Sequence, residues 1–197
     1  IGRLVGSEMC IRDRPNFIVM APSSGEELKN MINFALSINN KPSAIRYPRD
    51  IANEYKNNDK FQKIIMGKGK IIKNGKKIAF LNLGTRLKKI SEITELIKKN
   101  YKLNCSIIDM RFAKPIDTKL IQKLTKNHDI FVTVEENAIG GFSSQVNDFL
   151  INKLSKTPKI LNFFMKDEFI DQSDIEDQYS KSGISPRIIY EKLIKVL

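Results

Sequence analysis

Two arginines three residues apart, Arg46 and Arg49, close the stretch PSAIRYPRD (Pro42–Asp50) directly after a short apolar run. A guanidinium presents a planar fork of donors that fits two phosphate oxygens at once, and ligands dock at the carboxyl ends of strands in open sheets. Arg49 and, more weakly, Arg46 are therefore candidate binders of an anionic substrate group, although the same pair would suit a surface ion pair. Three further loops carry reactive or charged groups. Gly84-Thr85 offers a tight exit from a strand into a helix whose start could hold an anion; turn geometry alone also explains a glycine there. DMRFAKPID (Asp109–Asp117) sets Arg111 and Lys114 after a buried strand, as a phosphate seat or as an ordered loop anchored by Phe112 and by ion pairs to Asp109 or Asp117. TVEENAIGGF (Thr133–Phe142) places Glu135 beside Glu136, which suits acid–base work if burial raises one pKa, and equally suits helix capping or a subunit contact.

His128 is the only histidine and reads as an ordinary loop residue in a turn before a strand, because a lone imidazole makes neither a triad nor a metal site. No glycine loop of the Walker or dinucleotide type occurs. No residue is therefore assigned as catalytic, cofactor-binding or metal-ligating.

The elements that must position these groups follow from periodicity. Phe17–Met20 reads as a strand. Ser23 with Glu26, or Ser24 with Glu27, can form a capping box that starts a helix. Leu28, Met31, Ile32, Ala35 and Leu36 then recur at helical spacing, predicting a face packed on a sheet, and Ser43–Tyr47 returns as a strand. Asp50–Gln62 is polar and irregular, the composition of a crossing between domains. Beyond it, strands at Ile78–Leu83, Cys105–Met110, Ile130–Val134 and Ile160–Met165 alternate with helical patterns around Leu87–Ile97, Ile116–Leu124 and Phe142–Leu154. Ser185-Pro186 opens a last helix. This alternation predicts an α/β fold, a mostly parallel doubly wound sheet with helices on both faces.

The net charge of +12 suggests a polyanion partner, but the lysines are spread along helix faces and loops without interleaved aromatics, so no nucleic-acid partner is expected. No run of about 18 uncharged apolar residues is present, so no membrane partner is expected. The two cysteines, Cys10 and Cys105, lie far apart, whereas a disulfide framework or zinc site needs more cysteines or histidines at closer spacing, and the start carries no secretory pattern; a reducing cytoplasm is the expected compartment.

From about Pro15 onward, PSSGEEL, PSAIRYPRD, GKGK, DMRFAKPID and TVEENAIGGF follow one another in the order found in the 1-deoxy-D-xylulose-5-phosphate synthase family of the transketolase superfamily, which the chain resembles. Pyruvate dehydrogenase beta subunits and transketolases share the architecture, but RYPR, RFAKP and VEEN together are most similar to the synthase family. The resemblance implies that residues 15–55 are the tail of a pyrimidine-binding α/β domain, 56–67 a linker and 68–197 a transketolase C-terminal domain. It also implies a thiamine diphosphate- and Mg2+-dependent transferase, a cytoplasmic homodimer. That enzyme joins pyruvate to glyceraldehyde 3-phosphate with loss of carbon dioxide, giving deoxyxylulose phosphate for isoprenoid and thiamine biosynthesis. Arg49 matches the family's phosphate-gripping arginine, with Arg46 supporting the loop.

The family's cofactor-binding motifs lie upstream of the matched segment, so the resemblance implies that this chain alone is inactive. Ile1–Arg14 departs from the family and resembles translated sequencing adapter, and is expected to be a non-native leader on a truncated gene. Two other readings stay open: a piece of a 2-oxoacid dehydrogenase beta subunit, or a non-catalytic interaction module that docks acidic partners.

Overall fold

The computed structural model describes residues 11–12, 14–48, 61–155 and 157–197. Arg49, most of the expected interdomain crossing and most of the expected leader lie outside the described residues. Strand β1 (Ile18–Met20), helix α1 (Gly25–Leu36) and strand β2 (Ser43–Ile45) form the expected strand-helix-strand unit. Ser24 caps α1, its extended backbone letting the hydroxyl accept a 3.2 Å hydrogen bond from the Glu27 amide.

The α1 face differs from expectation. Met31 is buried among Phe34, Ala35 and Ile38, whereas Ile32 and Leu36 are 47% and 79% exposed. Two polar side chains on the helix turn inward beside that apolar face. Glu27 ion-pairs with Arg111, and Asn30 accepts a hydrogen bond from the Gln62 amide at 2.9 Å.

β1 pairs in parallel with β2 and antiparallel with β6 (Phe112–Lys114), so the small sheet runs β2-β1-β6. Periodicity did not predict β6, because its three residues follow directly on the previous strand and acquire a ladder only from distant β1. The larger sheet contains β3 (Lys70–Lys73), β4 (Lys77–Leu83), β5 (Ser106–Asp109), β7 (His128–Glu135) and β8 (Lys159–Phe163) in the order β3-β5-β4-β7-β8. β3 is an antiparallel edge and the other four strands are parallel. Lysines at both ends of β3 masked its strand character in the sequence.

Both faces of the large sheet are covered, which makes β4 nearly uninterrupted in apolar residues. Ala79, Leu81 and Leu83 pack with Ile121 and Leu124 of α3 (Thr118–Leu124) and with Phe142, Val146 and Leu150 of α4 (Phe142–Lys153). Ile78 and Phe80 pack on the opposite side with Ile90, Ile93 and Ile97 of α2 (Leu87–Tyr101). Ile189 and Leu193 of α6 (Pro186–Ile194) complete that layer. Pro186 occupies the first turn of α6 as expected, but the Ser185 side chain makes no capping bond. A polar helix, α5 (Ile175–Ser182), was not predicted, since Ser182 is its one buried residue and it carries no apolar stripe.

His128 is likewise not a loop residue. It opens β7, buried, with Nδ1 2.8 Å from the Leu124 carbonyl and Nε2 2.8 Å from Ser106 Oγ. Because Phe80 is fully buried in the layer between sheet and α2, Phe80→Ala is expected to destabilise the chain by about 3–5 kcal/mol in urea unfolding.

Candidate functional site

The parallel strands run β5-β4-β7-β8, so the chain passes from β4 to β5 on one side and later crosses to β7 on the other, and the carboxyl ends of β4 and β7 flank a topological switch point. The end of β2 is brought to the same place. Arg46 Nη1 donates to the Glu136 carbonyl at 2.6 Å, and the Arg46 amide donates to the Met20 carbonyl at 2.8 Å. Glu136 Oε1 accepts from Thr85 Oγ1 at 2.6 Å and from the Tyr179 phenol at 2.7 Å. Gly84 turns here with φ 92°, and a Cβ on it would lie 3.5 Å from both Arg46 Nη2 and Glu136 Oε2. The backbone freedom of Gly84 lets the strand ends meet.

Tyr179 comes from α5. Its ring carries the Arg86 guanidinium 3.7 Å from the centroid, and Glu176 Oε1 lies 3.9 Å from Arg86 Nη1 and 3.5 Å from Lys89 Nζ. Burial and the neighbouring Glu136 carboxylate push the phenol up to about 12, so Tyr179 stays a hydrogen-bond donor throughout the neutral range.

The adjacent Glu135 has a different task. Fully buried, it accepts from the Phe142 and Ser143 amides at 2.8 Å each and from Ser143 Oγ at 2.7 Å, capping α4 through its carboxylate. A Cβ on Gly141 would fall 2.1 Å from Glu135 Oε2. Of the readings open for this acid pair, helix capping is what the geometry gives Glu135.

The DMRFAKPID loop goes elsewhere. Arg111 takes a left-handed backbone with φ 59°, and its Nη2 donates to Glu27 Oε1 at 2.6 Å inside the protein. Its expected acidic partners, Asp109 and Asp117, are replaced by an acid from α1. Asp109 instead accepts from the Arg111 amide at 3.1 Å and from Ser23 Oγ at 2.5 Å. Burial raises the Asp109 carboxyl to about 6, with Glu27 adding to the effect and Ser23 opposing it. Lys114 Nζ donates to the carbonyls of Arg12 and Arg14, both at 2.7 Å. Asp117 caps α3 through the Leu120 amide and pairs with Lys68 at 3.1 Å.

Three sequence candidates thus converge, Arg46, the Gly84-Thr85 turn and Glu136, while Arg111, Lys114, Glu135 and His128 serve other contacts. Tyr179 and Arg86 carried no sequence signal, while Ser23, read as a helix cap, and Asp109, read as an ion-pair partner, instead bond each other. Cys105 is a buried free thiol, pushed by that burial up to about 11. Among the described residues, no three His, Cys, Asp or Glu side chains group where they could hold a metal ion, and no helix is long and apolar enough to cross a membrane.

The geometry of four parallel strands wound both ways around β4 is that of a known family. Residues 67–189, well over half of the chain, match the transketolase C-terminal domain, and the chain belongs to that family. It is 37% identical over 185 residues to 1-deoxy-D-xylulose-5-phosphate synthase of Psychromonas ingrahamii, a match covering 91% of this chain and 28% of that enzyme. It is 38% identical over 191 residues to the synthase of Blochmanniella floridana, covering 94% of this chain and 30% of that one. The chain therefore spans less than a third of the curated relatives it matches. A split-gene transketolase, an inactive beta4 tetramer, has a similar fold, with a TM-score of 0.80 and 23% identity over 95% of this chain and 60% of that one.

Two outcomes test this geometry. Gly141→Ala is expected to displace the Glu135 cap and cost about 1–3 kcal/mol in thermal unfolding. For Asp109, the carboxyl titrates near 6 in the folded chain against 3.8 in a free side chain, so the folded form binds more protons between these values. The stability this confers is complete below pH 4 and lost as pH rises through 6. Asp109→Asn removes that slope, and its stability relative to wild type is expected to be about 3 kcal/mol more favourable at pH 7 than at pH 4, read from urea midpoints.

Proposed function

We propose that this chain is the carboxyl-terminal part of a thiamine diphosphate-dependent synthase that condenses pyruvate with glyceraldehyde 3-phosphate to 1-deoxy-D-xylulose 5-phosphate, releasing carbon dioxide. The observation that carries the reading is the likeness to enzymes of that name at 37–38% identity over more than nine-tenths of the chain. The Arg46–Glu136 contact supports it, because it holds the arginine-bearing end of β2 against the switch point, where substrates of open α/β sheets bind. In this reading residues 15–55 end a pyrimidine-binding domain, 56–67 link it and 68–197 form the transketolase C-terminal domain, in a cytoplasmic homodimer.

Arg49 would grip the substrate phosphate, its guanidinium fork matching two phosphate oxygens, and Arg46 would brace that loop through the Glu136 carbonyl. Thiamine diphosphate and Mg2+ would be bound by the upstream segments that the relatives carry, where the cofactor supplies the electron sink for decarboxylation. The described residues offer no ligand set for the metal, so no step through the cofactor is assigned to this chain, which by itself is inactive in this reading.

The test uses a polypeptide of the relatives' length that carries this segment as its carboxyl-terminal part. It is expected to form deoxyxylulose phosphate from pyruvate and glyceraldehyde 3-phosphate. Arg49→Gln is expected to raise KM for the triose phosphate by about 10–100-fold, the loss of a charged hydrogen bond, with KM for pyruvate unchanged. No product, or an unchanged triose phosphate KM, would count against the assignment.

A further inference from the structure

We infer that Glu136, gripped by Thr85 and Tyr179, is a positioning residue through which helix α5 fixes the arginine-bearing end of β2 and so sets affinity for the anionic substrate. The inference rests on the triose phosphate reading above. Among the described residues, β2 is three residues long, lies at the edge of the small sheet and is half-exposed throughout, with Ile45 packed against the cluster of Met20, Met31 and Phe112. Apolar packing gives such a segment little resistance to local opening, so polar contacts at its end decide how firmly Arg46 is placed.

Those contacts converge on one residue. The Glu136 carbonyl takes the Arg46 guanidinium, and the Glu136 carboxylate takes two hydroxyls on a single oxygen, from the β4–α2 turn and from α5. Arg46 Nη2 and Glu136 Oε2 both stand over Gly84, each 3.5 Å from where a side chain would begin. Backbone and side chain of Glu136 are therefore each held by their own partners.

α5 in turn is held by polar contacts together with the packing of the Tyr179 ring on the core. Glu176 reaches Arg86 and Lys89, the Lys166 amide donates to the Ser182 carbonyl, and the Tyr179 ring covers the Arg86 guanidinium. Arg86 Nε and Nη2 are buried without a partner among the described residues, so the ring that shields them has a defined seat. The Tyr179 phenol is a contact through which α5 reaches Glu136, and loosening it frees the Glu136 carboxylate and, through the Arg46 contact, the end of β2.

The experiment has two arms. In this chain, amide hydrogen exchange over Ser43–Arg46 is expected to rise about five- to tenfold in Tyr179→Phe and Thr85→Val, the loss of one hydrogen bond. Thr85→Ser keeps the hydroxyl and is expected to restore the wild-type rate. Tyr179→Phe retains the ring on Arg86, so a melt by circular dichroism near that of wild type separates loss of the clamp from loss of the fold.

In the longer polypeptide, the same two substitutions are expected to raise KM for glyceraldehyde 3-phosphate by about three- to tenfold, leaving kcat and KM for pyruvate unchanged. Unaltered exchange overturns the clamp. Faster exchange with an unaltered triose phosphate KM overturns its link to affinity. If the wild-type longer polypeptide makes no deoxyxylulose phosphate, the functional reading fails by itself, and the exchange arm still decides the clamp.

Discussion

Phe112 and Lys114 pair antiparallel with Met20 and Val19, and this ladder commits one stretch of chain to both sheets. β5 ends at Asp109, the backbone turns sharply at Arg111, and β6 begins at Phe112 in the other sheet. A left-handed backbone on a residue other than glycine is unfavourable, so the turn must be held by its surroundings. Here the Arg111 carbonyl accepts from the Ala21 amide at 2.9 Å while its guanidinium is buried against Glu27. Once this corner is fixed, Ser23 falls within reach of Asp109, and β2 ends beside the carboxyl ends of β4 and β7.

The corner also explains why charge is buried where an apolar contact would have been simpler. Glu27 and Arg111 are both nearly inaccessible, and Glu27 Oε2 and Arg111 Nε have no partner among the described residues. A buried pair of this kind adds little net stability, but losing either member strands the other charge in a medium that cannot solvate it. Asp109 next to it gains a raised pKa from the same lack of water. The junction is thus specific rather than merely adhesive: a shifted register would leave several polar groups unpaired at once.

Neighbouring acids at the end of β7 illustrate how strand geometry separates roles. Successive side chains on a strand point to opposite faces. Glu135 consequently enters the layer beneath α4 and satisfies the first amides of that helix, while Glu136 faces the switch point and joins Arg46, Thr85 and Tyr179. Gly141 belongs to the first task, since any side chain there would collide with the Glu135 carboxylate.

Local pattern alone determined the α/β alternation, the four parallel strands and the apolar layers on each face, because strand and helix periodicities record burial within a few residues of each position. It also marked Arg46, Thr85 and Glu136 as residues at strand ends. It did not determine their partners. Arg46 and Glu136 are 90 positions apart and Glu27 and Arg111 are 84 apart, and no periodicity spans such distances. The same limit hid β6, whose three residues become a strand only against β1, turned Glu27 of α1 inward toward Arg111, and made His128 a buried strand residue. Tertiary structure decided these because a charged or hydrogen-bonding group is placed by whichever distant partner can satisfy it out of water, and only the folded chain supplies that partner.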